Sequence, residues 1–365
     1  MALEDLWALE MLIAAFAGGA FGAALGALPA FIFTGFAVIA GEAANVATRA
    51  VGEAGGVDPE AVGTTGITSA VAFGPVFSPA ISFAGGVAAA AYASRRGYMD
   101  TGFDYHEAKN IAFALGTKPD VLAVGGVFGV LGYWLTVLSG TFALPYDSIA
   151  MGVVLSAGIA RVAFGYPLIG KVRGASILDM SPFAREQRRV IGDAATRRDD
   201  PTADGGEARG RFMVEPWLPH QYEWANVATI GVVVGILGAF IAIQTGSTFL
   251  AFGISAASLV FLNCGVEQIP VTHHISLVSS AAAVAVTAEG TGLVSGGLLL
   301  AVLVGGLFGC LAALFGELFQ RIFYAHGDTH WDPPAAAIVF GSFLIAVCYL
   351  VGIFPGHSYV PVLGA

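Results

Sequence analysis

Val124-Gly125-Gly126-Val127-Phe128-Gly129 recurs further along the chain as Val304-Gly305-Gly306-Leu307-Phe308-Gly309. Each copy sits inside a long apolar run, Leu122–Leu144 and Val294–Leu318. Two further runs, Asn226–Ile243 and Ala335–Gly352, are of similar character. All four approach or exceed the roughly 20 residues with which a helix crosses a bilayer core. Glycine and alanine are abundant in them, as suits helices packed closely against one another. A transmembrane β-barrel would instead show alternating segments of about ten residues. The expected fold class is therefore an all-α polytopic membrane protein.

Composition agrees. Of 365 residues, 56% are hydrophobic and only 12% charged, and the mean hydropathy is +0.77. A soluble domain carries roughly 25% charged residues. The first ten residues hold Glu4, Asp5 and Glu10 but no Lys or Arg, the reverse of a signal-peptide n-region. Cys264, Cys310 and Cys348 lie in apolar runs and read as buried small hydrophobes. The net charge of −10, with 13 Arg against 3 Lys, points to a prokaryotic membrane. Nothing in the chain suggests a nucleic-acid partner.

Ten segments can be read: about 8–28, 30–48, 66–94, 120–143 and 147–168, then 224–244, 247–265, 272–290, 293–322 and 334–354. Residues 1–168 form a first membrane repeat and 223–365 a second. Between them, 169–222 is a polar linker that holds nine of the sixteen basic residues. Cytoplasmic loops collect Lys and Arg, so the linker is expected in the cytoplasm. Single crossings then place loops 95–119 and 323–333 on the same side and both termini outside. Within the linker, Ser181-Pro182 and Phe183–Ile191 read as an N-capped surface helix, and Arg197–Gly210 as flexible.

The halves match in order elsewhere. Pro79-Ala80-Ile81-Ser82-Phe83 aligns with His273-His274-Ile275-Ser276-Leu277, Tyr146-Asp147 with Trp331-Asp332, and Phe31…Gly35 with Phe249…Gly253. With five crossings each, the halves would be inverted, an architecture with its solute site near the membrane midplane.

The third segments are the unusual ones. Ile67–Ala93 contains Pro75 and Pro79, and its counterpart contains Pro270 just before Thr272. Interior proline breaks a helix, whereas proline suits a first turn. Each third segment is expected to break, with a half-helix starting near Ser78 or Thr272. Irregular backbone at membrane depth lines a cavity or is buried in protein, and a helix N-terminus favours polar or anionic groups. Ser78, Pro79, Ser82, Thr272, His273, His274 and Ser276 are thus the expected solute-binding residues of a channel or facilitative transporter for a small polar or anionic solute.

Two alternatives come from other residues. Glu42, an ionisable group in an apolar run, is a candidate ion-coupling site for a secondary transporter. His326, Asp328, His330 and Asp332 alternate along one loop, as ligands of a divalent metal in a membrane-embedded enzyme or metal-binding protein would. No other cofactor is expected. Arg161 reads as snorkelling to the interface, and the glycine-rich faces suit a homo-oligomer.

Overall fold

A computed structural model describes residues 3–55, 66–189 and 210–362. Among these residues the chain is helical with no strand, only one isolated bridge between Arg188 and Phe212. The main helices are α1 (Leu9–Leu25), α2 (Ala27–Gly55), α3 (Ser82–Arg95), α4 (Pro119–Thr141) and α5 (Ser148–Ala163). After the linker come α6 (Trp224–Thr245), α7 (Leu250–Asn263), α8 (His273–Thr287), α9 (Leu298–Phe319) and α10 (Pro333–Leu350). Five helices are long and apolar enough to cross a membrane: α2, α4, α6, α9 and α10. Their outer faces carry exposed Val233, Leu237, Phe240, Leu299, Leu303 and Leu307, a patch that only lipid or another apolar surface would cover.

The third segments are broken. A π-helical turn at Ile67–Ala72 precedes α3, and residues 264–272 are irregular before α8. At 14 and 15 residues, α3 and α8 reach only about 21–23 Å, short of the ~30 Å hydrocarbon core. Both are buried along almost their whole length. They can be central because their side chains are small, mostly Ala, Gly and Ser, and their neighbours approach at backbone distance.

Those neighbours are arranged alike in the two halves. In the first, α3 packs against α1 and α4, and in the second α8 packs against α6 and α9. The repeated glycine motifs make the contacts. A Cβ at Gly19 would lie 2.2 Å from the carbonyl oxygen of Gly125, and one at Gly235 would lie 2.5 Å from that of Gly305. Any side chain would force these helices apart and forfeit dispersion contacts along both faces.

Helices α2 and α7 pack against each other reciprocally. A Cβ at Gly35 would meet Ala256 and Ala257, and one at Gly253 would meet Val38 and Ile39. In the sequence match of Gly35 with Gly253, Val38 and Ile39 correspond to Ala256 and Ala257. The pair therefore runs antiparallel, with each glycine touching the counterpart of the other's neighbours. Helices α5 and α10 are also antiparallel. The Asp147 N–H donates to Ser342 Oγ at 2.8 Å, and Trp331 Nε1 donates to the Val154 carbonyl at 2.9 Å.

Several expectations need correction. The surface helix expected over Phe183–Ile191 is a single turn, Ser181–Ala184, without a side-chain cap; Ile191 and the stretch 197–209 expected to be flexible lie outside the described residues. Cys264 is exposed, because it caps the C-terminus of α7 instead of lying within it. Arg161 does not snorkel: it is fully buried. Its guanidinium donates to Thr329 Oγ1 and to the carbonyls of Thr329, Leu168 and Phe323, and stacks 4.8 Å from the Trp331 ring centre. Protein carbonyls take the place of interfacial water.

Candidate functional site

A cavity of about 1040 Å³ lies where the two halves meet. Its walls come from α2, α3, α5, α7, α8 and α10, and from the irregular stretches before α3 and α8. Matched positions of the halves line it in pairs: Phe31 and Phe249, Pro79 and His273, Phe83 and Leu277, Asp147 and Asp332, Ala150 and Ala335, Val153 and Ile338.

The two aspartates hold equivalent places. Asp147 caps α5, its Oδ1 accepting from the Ala150 N–H at 2.8 Å, while Oδ2 accepts from Tyr359 Oη at 2.9 Å. Asp332 caps α10, its Oδ2 accepting from the Ala335 N–H at 2.8 Å, with Oδ1 3.1 Å from His330 Nε2. Among the described residues neither has a Lys or Arg partner within 4.0 Å.

Aromatic rings join one aspartate to the other. His330 stands 5.6 Å from Phe83, Phe83 5.9 Å from Phe31, and Phe31 5.9 Å from Phe252 and 4.7 Å from His273. Phe252 is 5.9 Å from Phe73, Phe73 5.3 Å from Phe249, and Phe249 5.0 Å from Tyr359, the partner of Asp147. Edge-to-face and tilted pairs at these distances rigidify the wall. Every residue of this belt lines the cavity. His273 and His330 are buried, and the Nδ1 of each has no hydrogen-bond partner.

Of the seven expected solute-binding residues, Pro79 and His273 line the cavity. The other five are engaged elsewhere. The Ser78 carbonyl accepts from the Ile81 and Ser82 N–H groups at 2.8 and 2.9 Å, which makes a turn there and moves the start of α3 to Ser82. Ser82 Oγ folds back on the Phe77 carbonyl at 3.3 Å, and Ser276 Oγ on the His273 carbonyl at 3.1 Å. Thr272 Oγ1 pairs with Ser255 Oγ. His274 packs between its neighbour His273, 5.6 Å away, and Trp217, 6.1 Å away. Glu42 is buried away from the cavity, accepting from Thr68 Oγ1 at 2.7 Å, Asn45 Nδ2 at 3.1 Å and Ser247 Oγ.

The four residues of the 326–332 loop do not converge. His326 Nε2 contacts the Ile177 carbonyl at 3.0 Å, Asp328 pairs with Arg211 at 2.6 Å, and Asp332 caps α10 beside His330. Among the described residues no three His, Cys, Asp or Glu side chains are grouped to hold a metal ion.

One end of the cavity is bounded by loop 101–112 and by linker residues around Phe212 and Trp217–His220. A buried charge cluster holds these segments together. Lys109 Nζ lies 2.6 Å from Glu215 Oε2 and donates to the Tyr324 carbonyl at 2.8 Å. Arg211 stands 3.5 Å from Glu215 and 2.6 Å from Asp328. Burial pulls the Lys109 ammonium down to about 8, against the opposing pull of Glu215. Beside it, His106 Nδ1 accepts from the Ala108 N–H at 3.2 Å. Burial, with Arg211 and Lys109 adding to it, brings that imidazole down to about 4. The loops at 95–119 and 323–333 thus meet the linker at one end of the bundle.

Sequence reasoning missed the belt of Phe31, Phe83 and Phe252, because a phenylalanine in an apolar helix reads as core by default. The match of Tyr146-Asp147 with Trp331-Asp332 was the available signal for the capping aspartates. A model of a family of unknown function, DUF7973, matches residues 1–363. The chain belongs to that family. No curated protein and no solved structure matches it.

Proposed function

We propose that this member of DUF7973 is a membrane channel or facilitative transporter whose small polar solute occupies the cavity between two inverted repeats. One observation carries the reading: positions matched between the halves line a single cavity in pairs. The reciprocal α2–α7 contact and the antiparallel run of α5 and α10 support inversion, since a two-fold axis in the membrane plane reverses each helix onto its mate. The irregular stretches before α3 and α8 stand where such a site tolerates them, along a cavity wall. Two carboxylates in the wall make an anion the poorer solute.

The protein would sit in a prokaryotic cell membrane with its basic linker in the cytoplasm. Its apolar outer faces would meet lipid or further copies of the chain. Stopped-flow light scattering on proteoliposomes tests the reading. Solute-selective re-swelling that His273→Trp abolishes, with the unfolding temperature kept, is the expected result. Flux unchanged by a Trp in the cavity wall would remove the path from this cavity.

Glu42 favours a second reading, ion-coupled transport. Among the described residues its hydrogen-bond donors are Thr68, Asn45 and Ser247, and a buried carboxylate held by neutral donors is costly unless it exchanges a proton or a cation. Uptake indifferent to both sodium and a pH gradient would count against it.

A further inference from the structure

We infer that the solute of the cavity is a small amphipathic organic cation, an inference that rests on reading the cavity as a transport path. Two independent features of the wall converge on it. The first is the ring belt. Phe83, Phe31, Phe252, Phe73 and Phe249 follow one another at 5.3 to 5.9 Å around the cavity, with His273 4.7 Å from Phe31. Aromatic faces attract ammonium groups within about 6 Å of the ring centre, most strongly where water is excluded. The same rings accept the apolar bulk of an alkylated amine.

The second feature is an excess of acceptors without a cation to match them. Asp147 and Asp332 close the two ends of the belt, each held by neutral or histidine donors only. Of the two His330 ring nitrogens, Nε2 is turned to Asp332 and Nδ1 is not. That Nδ1 is buried and has no partner, like the Nδ1 of His273. Lys109, a cation lining the cavity, is already committed to Glu215 at the loop end. Buried carboxylates call for a positive partner, and among the described residues no Lys or Arg stands within 4.0 Å of either aspartate.

An anion would face two carboxylates. A purely neutral polar solute would leave the rings without a role in recognition. A solute with a positive head and apolar substituents satisfies both features at once.

The test compares isosteres. The purified chain in nanodiscs, its Trp217 reporting from the cavity wall, is titrated with choline, with 3,3-dimethylbutan-1-ol (the same shape without the charge) and with acetate. The expected result is choline binding at least about tenfold tighter than the neutral isostere. Phe31→Leu and Asp147→Asn should each weaken choline by about tenfold. Asparagine retains the helix cap, and an unchanged unfolding temperature separates lost binding from lost fold. Equal binding of the isostere, or tighter binding of acetate, overturns the cation inference and leaves the transport path standing. So does the absence of all binding in a protein that passes neutral solutes in liposomes. Absence of both binding and flux overturns the transport reading itself.

Discussion

Lys109 and Glu215 form an ion pair whose side chains are both fully buried, and removing either partner should unlock the loop end of the cavity. Breaking a buried pair by deleting one side costs about 3–5 kcal/mol, because the survivor is left without compensation. The neighbours here modify that figure unequally. Lys109→Met leaves Glu215 with Arg211 at 3.5 Å and Arg189 at 4.0 Å, so a loss near the lower limit, about 3 kcal/mol, is expected. Glu215→Gln leaves Lys109 with the Tyr324 carbonyl at 2.8 Å. Without the carboxylate that holds it up, the ammonium, already down to about 8, would give up its proton, which caps the loss at a similar size. The double variant Lys109→Met/Glu215→Gln removes both charges together and should cost well below the sum of the singles, with a coupling of about 2–3 kcal/mol. Denaturation in mixed micelles, followed by circular dichroism, measures all three. Additive losses, or single variants within about 0.5 kcal/mol of the parent, would refute the view that this pair holds loop 101–112 to the linker.

Three other outcomes are expected. Gly35→Ala should destabilise by about 1–3 kcal/mol, because its Cβ would meet the backbone N of Ala257 at 2.4 Å. Gly253→Ala should cost less, since its nearest obstacle is the Val38 side chain at 2.7 Å; the order of unfolding temperatures checks it. Arg161→Met should lose several kcal/mol by stranding four acceptors, and Arg161→Lys should not rescue it, because one ammonium cannot reach Thr329, Leu168 and Phe323 together. His106 gives a pH test. Its folded value is about 4 against an ordinary 6.5, so the unfolded chain takes up the proton first between those values. Stability should therefore fall as pH drops through that window, and His106→Asn, which can still cap residues 107–109, should flatten the fall.

Much of the architecture was legible from local chemistry. Pro75, Pro79 and Pro270 forbid continuous helices, and α3 and α8 begin where those breaks require, four residues later than expected in the case of Ser82. The glycine motifs at 124–129 and 304–309 marked close helix contacts that the packing of α1 on α4 and α6 on α9 contains. The site was less legible. Hydroxyls at Ser82 and Ser276 looked free for a solute, but near a helix start they turn back to their own backbone. Arg161 looked like a surface residue because nothing local shows that the Thr329 loop folds over it. Lys109 and Glu215 stand 106 residues apart, and only the assembled helix ends bring them together. Facing rings such as Phe31 and Phe252 likewise need a tertiary register that no single apolar segment encodes.

A solute that passes through the cavity between the halves should be stopped by filling that cavity. Proteoliposomes carrying the parent chain and His273→Trp, matched for protein content and unfolding temperature, would be compared for uptake of radiolabelled choline. Passage through the cavity gives uptake above empty liposomes for the parent and none for the variant. Equal uptake by the two, or no uptake by the parent of choline or of any small neutral solute, would contradict it.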